Sequence, residues 1–144
     1  SRAAVMEEKH VVVVFLESDG RIALWRRSDR VGHYRGCWAG IAGYLEPGAN
    51  PLQQATVEIS EEAGLQASEV ELVGAGGVVE VVDPEVDRKW LVHPFLFRTA
   101  VPGAVRLDWE HVDLKWITPS ELDRFETVPG LRAAWASVAS DSRP

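Results

Sequence analysis

The chain has little cysteine and no long apolar run. Cys37 is the only cysteine in 144 residues, so the chain cannot form an internal disulfide and does not look like an oxidised extracellular scaffold. The longest apolar run, Val11–Leu16, is far shorter than the roughly 18–20 residues that a membrane helix needs. No signal peptide is visible at the start, where Glu-Glu-Lys follows six mixed residues. We therefore expect a cytoplasmic protein with no membrane partner.

Positive charge is also scarce. The 15 Lys and Arg residues are outnumbered by 22 Asp and Glu residues, which gives a formal net charge of −7. This balance argues against binding to extended nucleic acid, and at first against a polyphosphate substrate as well. With 46% hydrophobic residues the chain has ample material for a core. Its length predicts a single domain over residues 1–144.

The pattern of apolar residues and turn signals predicts a mixed α/β fold. A hairpin is expected over residues 10–26, where Ser18-Asp19-Gly20 forms the turn, followed by a buried strand at Trp38–Gly43. Further strands are predicted at Val70–Val73, Gly77–Val82, Trp90–Arg98, Val105–Leu107 and Leu114–Ile117. A capping box at Thr118–Glu121 and an amphipathic stretch from Pro129 predict two C-terminal helices. This order favours a mixed β-sheet with helices on its faces.

The clearest predicted helix follows the turn at residues 43–50. Asn50 suits the N-cap, Pro51 the first helical position and Gly64 a left-handed stop. An apolar stripe is expected to face the core and consists of Leu52, Ala55, Ile59 and Ala63.

Three glutamates, Glu58, Glu61 and Glu62, fall on about one third of the circumference of this helix. No Lys or Arg on the helix offsets their repulsion. Two interpretations are open: a solvated acidic face, or a cluster that a hard divalent cation neutralises. The Gly-rich turn before the helix and a basic loop further upstream favour the second.

Gly43–Leu65 resembles the Nudix box, G-x5-E-x7-R-E-U-x-E-E-x-G-U, where U is a bulky aliphatic residue. Seven positions match at fixed spacing: Gly43, Glu58, Ile59, Glu61, Glu62, Gly64 and Leu65. Two depart from the pattern, since Ala49 replaces a Glu and Val57 replaces the Arg. The resemblance implies a Nudix-type α/β/α sandwich.

The resemblance also implies hydrolysis of a nucleoside diphosphate linked to another group, with Mg²⁺ or Mn²⁺ as cofactor. Glu61 and Glu62 would be metal ligands together with the backbone carbonyl of Gly43. Glu58 would be a further ligand or the base that orients the attacking water. Downstream, Glu110 corresponds to a loop acid that often reaches the metals in this family; its alternative is an ordinary loop residue.

The two departures leave an alternative function open. An Arg at position 57 would lie one helical turn from Glu61 and could orient the acids, whereas Val57 cannot. Ala49 removes one carboxylate. The alternative is a catalytically weakened Nudix-fold regulatory module that binds a nucleotide or a protein. The stretches Trp90–Phe97 and Trp109–His111 are faintly similar to Nudix domains fused to initiation-factor-2B-like proteins, in which case Asp141–Pro144 would begin a linker.

Arginines supply the local positive charge for a phosphate group. The basic loop contains Arg26, Arg27, Arg30 and Arg35, and Arg88 lies before a later strand. We expect Arg26, Arg27, Arg35 and Arg88 to bind substrate, with solvated loop residues as the alternative. Trp38 and Trp90 are candidates for stacking on a base, although burial in the core is the commoner role.

Other chemistry has little support in the sequence. The four histidines show no metal-ligand spacing, and Cys37 lacks a catalytic setting. Asn50 is the only asparagine and is needed as a helix cap, so recognition of a purine by an asparagine side chain is not expected. The expected partner is a small nucleotide-like diphosphate, and a homodimer is left open.

Overall fold

The computed structural model describes residues 6–141 and shows one mixed β-sheet with a helix on each face. The strands are β1 (Glu7–Ser18), β2 (Arg21–Arg27), β3 (Trp38–Ala39), β4 (Ile41–Tyr44), β5 (Val70–Ala75), β6 (Val79–Asp83), β7 (Arg88–Thr99) and β8 (His111–Ile117). The helices are α1 (Pro51–Glu58), continued by a π-helical turn over Ile59–Ala63, and α2 (Leu131–Asp141). Short 3₁₀ turns cover Ala67–Glu69, Pro84–Val86, Pro102–Ala104 and Pro119–Arg124.

Strand β1 is the centre of the sheet. It pairs in parallel with β7, from Glu7 opposite Arg88 to Glu17 opposite Arg98, and antiparallel with β2 and β4. The remaining strands extend this core, since β8 and β3 pair with β2 while β5 and β6 pair with β7. A strand buried on both faces needs a continuous apolar run, which explains the uninterrupted Val11–Leu16 segment.

Two hydrophobic clusters lie on opposite faces of the sheet because the side chains of β1 alternate. Val13 and Phe15 pack toward α2, whereas Val12 and Val14 pack toward α1. The predicted α/β/α sandwich with a mixed sheet is therefore confirmed. None of the helices in residues 6–141 is long and apolar enough to cross a membrane.

Helix α1 begins at the predicted residue, and its π-helical continuation ends at the predicted stop. The Asn50 side chain accepts a hydrogen bond from the Gln53 N–H at 3.1 Å, and Gly64 takes a left-handed φ of 72° at the stop. Leu52 departs from the predicted stripe, because it is 39% exposed, whereas Ala55 is fully buried.

One predicted strand is divided into two, and another is wrong. Trp38–Gly43 is divided at Gly40, where a Cβ would lie 2.7 Å from the Val14 carbonyl, and the chain there changes partner from β2 to β1. Residues 105–107 form no strand, because the Arg106 N–H bonds the Ala63 carbonyl at 3.0 Å and the segment caps the end of the acidic helix instead. The capping box at Thr118 starts a 3₁₀ turn rather than an α-helix. Of the predicted linker, residues 142–144 lie outside the described residues.

Candidate active site

The acidic face of the helix lies where α1 widens into its π-helical turn. Glu58 is the last residue of α1, while Glu61 and Glu62 belong to the π turn. Such turns often occur at functional sites because they shift side chains out of the regular helical register. Here Glu62 points into the protein and is buried, whereas Glu61 is exposed. Glu61 is thus at the surface, while Glu62 lies inside and contacts Glu58.

Glu58 lies directly against the backbone of β4. A Cβ atom on Gly43 would collide with the Glu58 carboxylate, so glycine leaves room for this carboxylate and a larger residue would require the Glu58 side chain to move. The Gln54 amide, one helical turn earlier, donates a hydrogen bond of 2.7 Å to Glu58 Oε2 and fixes its orientation. Burial, with the charges of Glu61 and Glu110, raises the pKa of Glu58 above its ordinary value.

Glu62 is the most buried member of the cluster. Its side chain is 7% exposed, and its Oε1 accepts a hydrogen bond of 3.4 Å from the Ala42 N–H. Burial, a hydrogen bond between the two carboxyl groups and the charge of Glu58 raise the pKa of Glu62 from 4.5 to about 10. The pair therefore holds a proton at neutral pH in the absence of another positive charge.

Glu110 reaches the same region from the loop before β8. Its charge adds to the raised pKa values of both Glu58 and Glu62, and it lines a cavity together with Gly43 and Glu58. The Glu110 carbonyl accepts a hydrogen bond of 2.8 Å from the N–H of Ser28, which ties this loop to the end of β2. Four of the five predicted metal-site residues are thus brought together, with Glu61 at the exposed edge.

The cavity measures about 520 Å³ and extends from this acidic end across the sheet. Its walls include Tyr34, Tyr44 and Trp90, whose rings lie 6.2 to 6.4 Å apart around Trp90. Val11, Val13 and Val92 form an apolar floor. A cavity of this kind suits a ligand with a flat ring at one end and negative charge at the other.

Of the four predicted substrate-binding arginines, Arg27 alone lines this cavity. Three of them donate from Nε to carbonyls of the β2–β3 loop: Arg26 to Gly36 at 3.1 Å, Arg27 to His33 at 3.1 Å and Arg35 to Val31 at 2.8 Å. Arg88 lies outside, 5.0 Å from the Trp90 ring, and donates to the Tyr44 hydroxyl at 3.3 Å. Bracing of the loop is therefore a role that the sequence did not suggest.

The donor set fits a hard divalent cation in its chemistry. It offers carboxylate oxygens from Glu58, Glu62 and Glu110 and the carbonyl of Gly43, the ligand type that Mg²⁺ and Mn²⁺ prefer. Within residues 6–141, however, no three His, Cys, Asp or Glu groups already surround one point at ligand distance. The raised pKa values of Glu58 and Glu62 mark where a positive charge would stabilise the two carboxylates.

Three residues near the site were not predicted from the sequence. Tyr34, in the β2–β3 loop, has a φ of 56° and hydrogen bonds to both Asp83 and Trp90. Asp108 and His111 lie on either side of the Glu110 loop position, and His111 is buried. The Asp-x-x-His spacing was the available signal, but spacing alone does not reveal that the two side chains meet.

The sheet, the Gly43–Glu58 contact and the acidic helix all lie within a segment that matches a known protein family. The sequence pattern of the NUDIX domain matches residues 6–136. The chain therefore belongs to the Nudix family, and the predicted resemblance is confirmed.

Known proteins similar to this chain carry two different activity names. It is 34% identical over 111 residues to an octanoyltransferase of Myxococcus xanthus, covering 74% of this chain and 29% of that protein. It is 30% identical over 118 residues to putative 8-oxo-dGTP diphosphatase 3 of Mycobacterium tuberculosis, covering 78% of this chain and 49% of that protein. The chain thus spans less than a third of the first relative and about half of the second. A MutT NUDIX hydrolase structure from Burkholderia pseudomallei superposes with a TM-score of 0.72 at 22% identity, over 91% of this chain and 98% of that one.

Proposed function

We propose that this Nudix protein hydrolyses a phosphoanhydride bond in a nucleoside diphosphate linked to another group, with Mg²⁺ or Mn²⁺. The observation that carries the proposal is the contact of the Glu58 and Glu62 carboxyl groups beside Gly43, at the end of a cavity with aromatic walls. The name of the diphosphatase relative supports the same reaction class.

The cation would be held by Glu61, Glu62 and Glu110 with the carbonyl of Gly43, and Glu58 would be the base or a further ligand. When bound, it supplies neutralisation of the diphosphate oxygens and a more acidic water. This need for a cation reconciles the net charge of −7 with an anionic substrate. The carboxylates lie at one end of the cavity, so the cation they hold would lie beside the charged diphosphate of the substrate.

The protein's own side chains divide the remaining work. Glu58, oriented by Gln54 and with a raised pKa, accepts a proton from the attacking water. Arg27 faces the cavity and offers its terminal guanidinium nitrogens to a phosphate oxygen. Tyr44, which is 52% exposed, offers a ring face to the base. Among residues 6–141, no asparagine or glutamine lines the cavity, so we propose weak selection among bases.

The test is product release from a panel of nucleoside diphosphate derivatives and nucleoside triphosphates, 8-oxo-dGTP included, with Mg²⁺ and with Mn²⁺. We expect turnover by the wild type and a loss of about 100-fold or more in kcat for Glu58→Gln if Glu58 is the base. Glu71→Gln, an exposed change on β5, is the matched control. Turnover of no substrate, or equal rates for wild type and the double variant Glu61→Gln plus Glu62→Gln, would contradict the proposal.

A second candidate is binding of a nucleotide or a protein without hydrolysis. Two departures from the Nudix box favour it, Ala49 and Val57. Val57 is 44% exposed, so packing in the core does not explain why it replaces the arginine of the family. Calorimetry that detects nucleotide binding without divalent cations, in a protein that turns over no substrate, would select this alternative. The faint similarity to Nudix domains fused to initiation-factor-2B-like proteins points to the same alternative.

We also propose that residues 1–144 form a single Nudix-like domain in the cytoplasm. Limited proteolysis followed by mass spectrometry tests the domain, because a linker inside it would be cleaved first. Light scattering after gel filtration decides between a monomer and the homodimer. Fractionation of cells with an antibody against this chain tests the compartment.

A further inference from the structure

A carboxylate–imidazole pair with a buried ring lies behind the acidic cluster. Asp108 Oδ1 is 2.7 Å from His111 Nδ1, and the His111 side chain is only 2% exposed. The short contact requires a proton on Nδ1, which the carboxylate accepts. The opposite ring nitrogen, Nε2, faces Glu62 Oε1 at 3.9 Å, which is longer than a hydrogen bond.

The same oxygen of Asp108 also organises the backbone that carries Glu110. Asp108 Oδ1 accepts a hydrogen bond of 3.2 Å from the Glu110 N–H. One oxygen of Asp108 therefore accepts hydrogen bonds from the backbone of Glu110, which lines the cavity, and from the His111 ring, which faces Glu62. These two acids come from opposite sides of the site, from the loop before β8 and from the helix.

The surroundings fix this arrangement in place. The Trp25 ring of β2 lies 6.4 Å from the His111 ring. The β2–β8 pairing shifts register between Arg26, opposite Asp113, and Arg27, opposite His111, so that Val112 is the extra residue on β8. Bulges of this kind bend the strand and are common beside active sites. At this point Arg27 lines the cavity, whereas His111 is buried.

We propose that Asp108 and His111 are positioning residues that set the spacing of Glu62 and Glu110 for a divalent cation. The proposal rests on the metal-dependent function argued above. Neither residue touches the substrate in it: Asp108 holds the loop and the ring, and the ring gives Glu62 a polar neighbour that keeps its carboxylate turned toward Glu58. Outer partners of metal ligands commonly contribute about 10- to 100-fold to metal affinity.

The test is direct titration with Mn²⁺, followed by the electron paramagnetic resonance signal of the free ion. Asp108→Ala and His111→Phe are expected to bind Mn²⁺ about 10- to 100-fold more weakly than wild type. Asp108→Asn keeps the accepting oxygen and should stay close to wild type. Asp113→Ala, an exposed change on β8, is the control. Circular dichroism confirms that each variant is folded at the temperature of the titration.

The outcomes separate the two proposals. Wild-type affinity in a folded Asp108→Ala or His111→Phe variant overturns the positioning role alone, since a merely structural role lowers the melting temperature and leaves Mn²⁺ affinity unchanged. Equal weakening by Asp108→Asn and Asp108→Ala also overturns it, because the accepting oxygen would then be irrelevant. Absence of Mn²⁺ binding by the wild type overturns the metal-dependent function itself.

Discussion

The Tyr34 hydroxyl donates a hydrogen bond of 2.6 Å to Asp83 Oδ2, across 49 positions of sequence. The same hydroxyl accepts a bond of 3.0 Å from the indole N–H of Trp90. Tyr34 thereby fastens the β2–β3 loop to β6 and β7 over the cavity. Burial and the hydrogen bond to Asp83 raise the pKa of Tyr34 to about 12, so the hydroxyl keeps its proton and its role as donor at physiological pH.

Removal of this hydroxyl should destabilise the fold. In Tyr34→Phe the buried Asp83 carboxylate and the Trp90 indole N–H each lose a partner, which we expect to cost about 1–3 kcal/mol in the free energy of unfolding. Urea denaturation measures the change. Tyr44→Phe is the control, because its exposed hydroxyl only accepts a bond from Arg88. Equal stability of the two variants would show that the Tyr34 bonds contribute nothing.

A methyl group at Gly43 should damage the site without unfolding the protein. Since the new Cβ would collide with the Glu58 carboxylate, Glu58 must turn away from β4 in Gly43→Ala. A displacement of about 1 Å can lower a catalytic rate by about 100-fold, and we expect a loss of that order in kcat. Gly77→Ala has open space around the new Cβ and is the matched control. Full activity of Gly43→Ala would refute the contact.

Replacement of Glu62 should change how stability depends on pH. The folded-state pKa of Glu62, about 10, lies above its ordinary 4.5, so the folded protein retains a proton that the unfolded chain loses. Stability contributed by this group is complete below pH 4.5 and falls as pH rises toward 10, by up to about 1.4 kcal/mol per pH unit.

Glu62→Gln cannot lose a proton and should flatten this slope. Urea denaturation in EDTA at several pH values between 5.5 and 8.5 measures it. Glu61→Gln, one residue away and exposed, should keep the wild-type slope. A wild-type slope in Glu62→Gln would mean that another group binds the proton.

The histidine pair on β1 and β7 gives a prediction of opposite sign. His10 Nδ1 and His93 Nε2 lie 2.9 Å apart, and burial together with His10 lowers the pKa of His93 below 6.5. As the pH falls, the unfolded chain therefore binds a proton before the folded protein does. The stability that His93 contributes is complete above pH 6.5 and is lost as the pH falls through the folded-state pKa. Proton NMR titration of the His93 ring measures it. His10→Gln should move the pKa of His93 upward, and an unmoved value would remove His10 as a cause.

Local sequence signals predicted much of the fold. The hairpin, the caps at Asn50 and Gly64 and the continuous core strand follow from short-range rules, and the structure shows each of them. Leu52 and the strand at residues 105–107 were predicted wrongly, because exposure and pairing depend on distant segments. Ala63, for example, supplies the carbonyl that the backbone of Arg106 contacts.

The candidate site was predictable where one helix carried its residues. Glu58, Glu61 and Glu62 follow from a fixed spacing, and Glu110 from its place in the family pattern. Tyr34 was not predictable, because its partners Asp83 and Trp90 lie on other strands. The contact of His111 with Asp108 was not predictable either, since a spacing of three residues does not reveal whether two side chains meet. The spacing of the arginines also did not predict that the Nε atoms of Arg26 and Arg35 donate hydrogen bonds to carbonyls of the β2–β3 loop.

The parallel pairing of β1 with β7 has a consequence for how the chain folds. Glu7 lies opposite Arg88 and Glu17 opposite Arg98, so the central strand gains this neighbour only after some eighty further residues have been made. During synthesis the hairpin of β1 and β2 can form early, but one long apolar edge of β1 then stays open. Newly made chains are therefore most prone to aggregate between emergence of β2 and emergence of β7, and substitutions that slow the docking of β7 should lower the soluble yield more than they lower the stability of the finished fold.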